Sequence, residues 1–171
     1  KRIRKFFVQL SYKNTIIIKP KKFKFRSKIM EYVYYTDVTW KGEYLGEIKM
    51  GNGPVMEFSA PPDAHGHTNV LTPEDAFIAA VNTCIMMMFI WACERFKINL
   101  VDFACHAEGV KKIALDRTET FTHVILQPRI VARETTQKKI EKALKSAQKY
   151  SLIANSITSD LIIEPEIIIE H

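Results

Sequence analysis

Residues 71–96 read LTPEDAFIAAVNTCIMMMFIWACERF, and this stretch decides how the rest of the chain has to be arranged. It opens with a helix-start signal. Thr72 can cap, Pro73 suits the first helical position, and Asp75 completes a Thr-x-x-Asp capping box. Between positions 76 and 93 lie 18 residues, of which only Asn82 and Thr83 are clearly polar. A helix apolar on every side has to be buried all round. The polar run Glu94-Arg95 and then Lys97-Ile98-Asn99 ends it. A membrane span takes about 20 apolar residues, so this run is near the lower limit. With Asn82 and Thr83 at its centre and strand-like sequence around it, the expectation is a buried central helix and no membrane association.

The flanking sequence supplies the cover. Residues 31–41 and 43–50 are rich in β-formers and broken at Gly42, which reads as a hairpin. Gly51-Asn52-Gly53-Pro54 is a turn, and Val55–Ser59 a third strand. A loop over 60–71 delivers the chain to the helix. Beyond the helix, 100–110 and 118–131 read as two long strands joined through the charged segment 111–117. Residues 135–150 form a second helix, with Ile140, Ala143, Leu144 and Ala147 at helical spacing. A short helical or irregular link over 151–159 follows, then a last strand over 161–170 in which Pro165 marks an edge or bulge. The order predicts an α+β domain, with helices segregated from antiparallel sheets. One small sheet cannot cover every side of the central helix. The expected remedy is a second copy of the chain, a symmetric homodimer with an extensive apolar interface.

The formal net charge of +6 over 171 residues is misleading. Residues 1–29 hold eleven of the 25 Lys and Arg and no acid, leaving 14 basic against 19 acidic residues over 30–171, a net of −5. A basic arm over 1–29 is joined to an acidic domain over 30–171. Within the arm, residues 22–29 alternate Phe with basic residues, a strand with one basic face. Basic residues interleaved with aromatics suit nucleic acid. Such a strand can equally lie on the acidic domain of its own or a partner chain, or belong to an extension preceding a natural start at Met30, and nucleic acid is the least favoured of these readings. The apolar pieces of the arm are too short for a signal peptide. The three cysteines, Cys84, Cys93 and Cys105, form no C-x-x-C pair and leave one over. That usage fits a reducing cytoplasm without a disulfide framework or zinc site.

The central stretch also carries a resemblance. The succession Thr72-Pro73-Glu74-Asp75, a hydrophobic helix, and a cysteine ten residues after the Glu resembles the osmotically inducible protein C / organic hydroperoxide resistance family. Residues 141–151, EKALKSAQKYS, resemble that family's second helix, which runs into its second cysteine. The resemblance implies an intertwined homodimer with the cysteine helices at its centre. It also implies a cysteine-based peroxidase of oxidative-stress defence, acting on organic hydroperoxides without a cofactor. Cys84 falls at the peroxidatic position, where the family's thiolate attacks a hydroperoxide, forms a sulfenic acid and is resolved by a second thiol. Glu74 matches the family's Glu, which orients an Arg beside the thiolate.

Each of these residues also has a plain structural reading. A lone cysteine is commonly a small buried hydrophobe, and Cys84 lies too far into the helix to gain much from its dipole. Glu74 suits the first turn for the dipole alone. Ten helical residues span about 15 Å, so Glu74 and Cys84 of one straight helix cannot share a site. Either the chain bends near Pro73, or Glu74 meets the cysteine of another subunit. Two family groups are absent. No Arg lies between Arg26 and Arg95; Lys41 or Lys49 could substitute only as a point charge, Arg95 lies on the Cys84 face but about 16 Å away, and an arm residue such as Arg26 is a further candidate. Ser151 replaces the resolving cysteine, which leaves an external thiol as the expected reductant. Cys93, nine residues on, points to the opposite helix face. Asp63, His65 and His67 lack a further ligand for a metal site, and none is expected. The run Met86-Met87-Met88 reads as adaptable packing or the floor of a pocket for an apolar ligand. Two functions follow, a divergent hydroperoxide-reducing thiol enzyme, or a non-catalytic dimer of the same fold that binds a small apolar ligand.

Overall fold

The computed structural model describes residues 9–11, 15–17 and 30–170. The chain divides into two compact units, Lys1–Tyr34 and Tyr35–His171. In the first, β1 (Gln9–Ser11) and β2 (Thr15–Ile17) pair antiparallel, with Gln9 opposite Ile17. The basic strand expected over 22–29 lies outside the described residues.

The second unit opens with a three-stranded antiparallel sheet of β3 (Thr36–Gly42), β4 (Leu45–Met50) and β5 (Val55–Ser59). Its first strand is shorter than expected, starting at Thr36. A bridge between Phe58 and Leu71 and a bond from the Ser59 N–H to the Leu71 carbonyl at 2.9 Å tie β5 to the entry of the central helix. Helix α1 (Pro73–Phe96) then begins where the capping box places it. The Asp75 N–H donates to Thr72 Oγ1 at 3.1 Å, and the Thr72 N–H donates back to Asp75 Oδ2 at 3.3 Å. Two of the orphan donors of the first turn are thereby satisfied. At the other end Lys97 takes the left-handed conformation (φ 51°), returning its N–H to Cys93 and Glu94.

The long strands β6 (Asn99–Ile113) and β7 (Glu119–Arg133) pair antiparallel along their whole length. The charged segment expected to link them belongs in part to the strand: Lys111, Lys112 and Ile113 still pair with β7. Helix α2 (Gln137–Tyr150) buries Ile140, Ala143, Leu144 and Ala147, the four residues its periodicity singled out. A short 3-10 turn (Ala154–Ser156) leads to the last strand, which Pro165 splits into β8 (Asp160–Ile163) and β9 (Glu166–Glu170). Both run parallel to β7, so this sheet is mixed rather than wholly antiparallel. The helix α2 lies between β7 and β8, and such a crossover returns the chain in the same direction.

Helix α1 lies against both the β6–β7 sheet and α2. Its Phe89, Ala92 and Cys93 pack with Ile130, Ala132 and the buried face of α2, while Val81 and Ile85 pack with Val124 and Leu126. Gly109 lets the helix come close, because a Cβ there would sit 2.4 Å from Ile78 Cδ1 and 2.7 Å from the Phe121 ring. The expectation of burial all round is met on one side only. Ala79, Thr83 and Met87, four apart on α1, stay exposed, Met87 at 54%. Asn82, one of the two polar residues of the run, donates from Nδ2 to the Cys105 carbonyl at 3.2 Å and so fixes α1 on β6.

Burial of Cys93 pushes its thiol up to about 11 from an ordinary 9.0. A raised acid is neutral in the fold, so its contribution is complete below the unfolded value and is lost as pH rises toward the folded one. Between pH 9 and about 11, stability should fall by up to about 1.4 kcal/mol per unit crossed through this group. Urea unfolding of the protein and of Cys93→Val across that range should show a steeper loss in the former.

Candidate thiol site

Cys84 sits halfway along α1, partly exposed, on a stripe that continues through Met88, Trp91 and Arg95 at helical spacing. That stripe faces α2. Ser151, the residue that ends α2, is fully buried, and its Oγ donates to Cys84 Sγ at 3.1 Å. The Ala154 N–H donates to the same Oγ at 3.1 Å, using one acceptor site and leaving the hydroxyl proton available to sulfur. The backbone that places Ser151 is anchored through its own N–H, bonded to the Ala147 carbonyl at 2.9 Å. Cys84 and Ser151 are 67 residues apart in sequence, and the packing of α2 on α1 joins them.

Farther along the stripe, Met88, Trp91, Arg95, Phe96, Ser146 and Tyr150 line an apolar groove of about 500 Å³ between the helices. Trp91 meets Tyr150 edge-on at 5.6 Å, and the Arg95 guanidinium lies over the Trp91 ring at 4.9 Å. Arg95 is therefore held at the far end of the groove, and its eleven-residue offset from Cys84 amounts to about 16 Å of helix. Of the methionine run, only Met88 lines this groove; Met87 faces outward.

Glu74 lies in the first turn of α1. The helix is unbroken from Pro73 onward, which removes a bend as a way to bring Glu74 to Cys84 of the same chain; about 15 Å separates them along the axis. Glu74 Oε2 is buried and has no hydrogen-bond partner among the described residues. It borders an open cleft of about 500 Å³, together with Asn82, Cys105, His106, Gly109 and Phe121. By sequence, Lys111 belongs to the charged segment between the two long strands. Here it is a strand residue whose Nζ lies 2.8 Å from Glu119 Oε2. Its ammonium is held above the ordinary lysine range, first by that hydrogen bond and, against some desolvation, by the negative charges of Glu119, Asp63 and Glu74.

The other candidates lie elsewhere. Lys41 is paired with Glu47 at 3.3 Å, Lys49 is exposed on β4, and Arg26 is outside the described residues. Cys93 is buried on the far face of α1, as its spacing requires. Cys105 lies in β6, its thiol raised by burial against a backbone bond from Gln127. Asp63 belongs to a 3-10 turn (Pro62–Ala64); His65 lies near Tyr44, with ring centres 6.1 Å apart, and the His67 N–H donates to Ser59 Oγ at 2.9 Å. Among the described residues no three His, Cys, Asp or Glu converge as metal ligands. His106 in β6 and His123 in β7 face Glu108 at 3.2 Å and Asp160 at 3.8 Å.

The family model described as OsmC-like protein matches residues 66–166, more than half of the chain and both residues of the Cys84–Ser151 pair. The chain belongs to the OsmC-like family. Its fold is shared with solved structures at low identity. An OsmC-like protein of unknown function from Vibrio cholerae superposes with a TM-score of 0.73 at 21% identity, covering 80% of this chain and 100% of that one. An organic hydroperoxide resistance protein from Legionella pneumophila gives a TM-score of 0.66 at 17% identity, covering 82% and 99%. One from Elizabethkingia anophelis gives 0.66 at 17% identity, covering 84% and 100%. No curated protein matches the chain by sequence.

The contact between Cys84 and Ser151 makes a geometric prediction. Since Oγ already lies 3.1 Å from Sγ, a sulfur in its place should close a disulfide of about 2.05 Å with a small side-chain rotation. Mild oxidation of Ser151→Cys should remove two thiols together and lower the mass by two hydrogens, as read by alkylation and mass spectrometry. Two thiols that both remain alkylatable would contradict the placement of α2.

Proposed function

We propose that this chain is a thiol peroxidase for organic hydroperoxides that works as a homodimer and is recycled by an external thiol. The observation that carries the reading is the partly exposed Cys84 thiol meeting the Ser151 hydroxyl at 3.1 Å. This contact joins the two positions that match the family's two cysteines. The thiolate attacks the outer oxygen of ROOH, the O–O bond breaks, and the alkoxide leaves as ROH after taking a proton. Sulfur is oxidised to the sulfenic acid. A hydroxyl cannot condense with it as a thiol does, so an external R′SH forms the mixed disulfide with loss of water. A second R′SH then releases R′SSR′ and restores Cys84.

Exposed apolar surface supports the dimer. The stripe through Ala79, Thr83 and Met87 is without cover among the described residues, and Val38 and Trp40 of β3 and Tyr44 in the turn that follows are exposed at 60%, 75% and 56%. Surface of this kind marks an interaction face, and a second copy offers matching apolar faces by symmetry. Sedimentation at micromolar concentration should give a dimer, and a folded monomer there would count against it.

The groove beside Met88 favours a second reading, a dimer that binds an apolar ligand without turnover. Brief exposure to cumene hydroperoxide separates the two. Under the first reading, mass spectrometry finds sulfenic acid on Cys84, advancing to sulfinic acid when no thiol is added. Under the second, Cys84 stays reduced.

A further inference from the structure

The Ser151 hydroxyl has one recorded place to give its proton. The side chain is fully buried, and a buried hydroxyl has to find a partner. The Ala154 N–H donates to its oxygen at 3.1 Å. The Ala147 carbonyl, four residues back, already takes the Ser151 backbone N–H at 2.9 Å. Among the described residues the hydroxyl donates to Cys84 Sγ alone, at 3.1 Å. The sulfur of a neutral thiol is a weak acceptor, whereas an ionised acceptor makes a bond roughly twice as strong. The buried donor is therefore better satisfied when Cys84 is ionised. The turn after α2 fixes its aim: the Asn155 N–H bonds the Ser151 carbonyl at 3.1 Å, and Asn155 Nδ2 bonds the Lys149 carbonyl at 3.0 Å.

A reactive cysteine ordinarily owes its thiolate to a neighbouring cation, and the surroundings of Cys84 within the described residues are neutral. On α1 the residues one turn away are Ala80, Val81, Met87 and Met88. The sheet under this part of the helix presents Val124, Leu126 and Cys105. On α2, Lys145 is exposed and Lys149 lies over the Tyr150 ring at 5.2 Å, while Tyr150 meets Trp91 edge-on. The link over 152–158 carries no charged residue. We propose that Ser151 is a catalytic hydrogen-bond donor, its hydroxyl holding Cys84 as the thiolate in the absence of a cation from its own chain. A donor already aimed at the sulfur needs no reorganisation when the charge forms. The same oxygen that cannot resolve an oxidised Cys84 thereby serves the step before it, the one that makes the sulfur nucleophilic.

The inference rests on the Cys84 reading above, and its test is independent of turnover. The rate of Cys84 alkylation by iodoacetamide, followed peptide by peptide across pH, reports the thiolate. Ser151→Ala should slow it about tenfold at neutral pH, the effect of a one-unit displacement of the profile, and leave the alkaline plateau where it was. Ser151→Thr, which keeps a hydroxyl, should return the profile toward that of the wild type. A purely structural role for Ser151 predicts something else, since looser packing exposes the sulfur and raises the rate at every pH. Cys93, buried, serves in the same digest as a control for folding and should stay unmodified in all variants. A Ser151→Ala profile that coincides with the wild type, or that lies above it throughout, overturns the role of the hydroxyl. If Cys84 is inert to cumene hydroperoxide yet its profile moves with Ser151→Ala, the peroxidase reading falls and this one stands. If Cys84 is oxidised by the hydroperoxide and its profile ignores Ser151→Ala, the reverse holds.

Discussion

An α-helix rises about 1.5 Å per residue and does not compress. That rise governs how α1 can be used. The capping box at Thr72 and Asp75 fixes where the helix begins, and the Asn82 bond and the close contact at Gly109 fix how it lies on β6. With both ends determined, Glu74 and Cys84 hold a set separation too large for any group to bridge within one chain. Every account of the site has to respect it. A carboxylate and a thiol placed one at the start and one at the middle of a rigid rod belong to different constellations, unless a second rod runs beside the first.

The packing of α1 states the same constraint in terms of burial. One side is filled by β6, β7 and α2, with Val81, Ile85, Phe89 and Ala92 at or near zero exposure. The other side carries Ala79, Thr83 and Met87 into solvent. A fully buried large apolar side chain is worth roughly 1.5–3 kcal/mol, so leaving such a stripe wet forgoes energy that a partner surface would recover. The one polar side chain bonded outward from the middle of the run, Asn82, lies on the covered side. Thr83, on the bare side, turns its hydroxyl back to the Ala79 carbonyl at 2.7 Å, leaving a surface with little unmet demand for water.

Ser151 shows how one atom changes the chemistry while keeping the architecture. It occupies the end of α2, buried, oriented by Ala154, and within a hydrogen bond of Cys84. A hydroxyl there can donate to a thiolate or to a sulfenate oxygen, and it cannot take over the oxidised sulfur as a thiol does. Under the proposed function, an oxidised Cys84 would need its reducing thiol from outside the chain.

Much of this was legible in the sequence, wherever the information is local. The capping box, the length of α1, the apolar positions of α2 and the break at Pro165 depend on residues within a turn or two of one another, and each was readable. The likeness around Glu74 and Cys84 pointed to the family for the same reason: its signature lies on one contiguous helix. What only the tertiary structure decided is long-range. The parallel course of β8 and β9 beside β7 depends on how α2 crosses over. The bond between Ser151 and Cys84 depends on helix packing across 67 residues. Lys111 looked like part of a charged connection, because a run of Lys and Asp resembles a turn whichever way it folds. Its place in a strand, opposite Phe121, is set by the register of two 15-residue strands. Register is a property of the pair, and neither strand carries it alone.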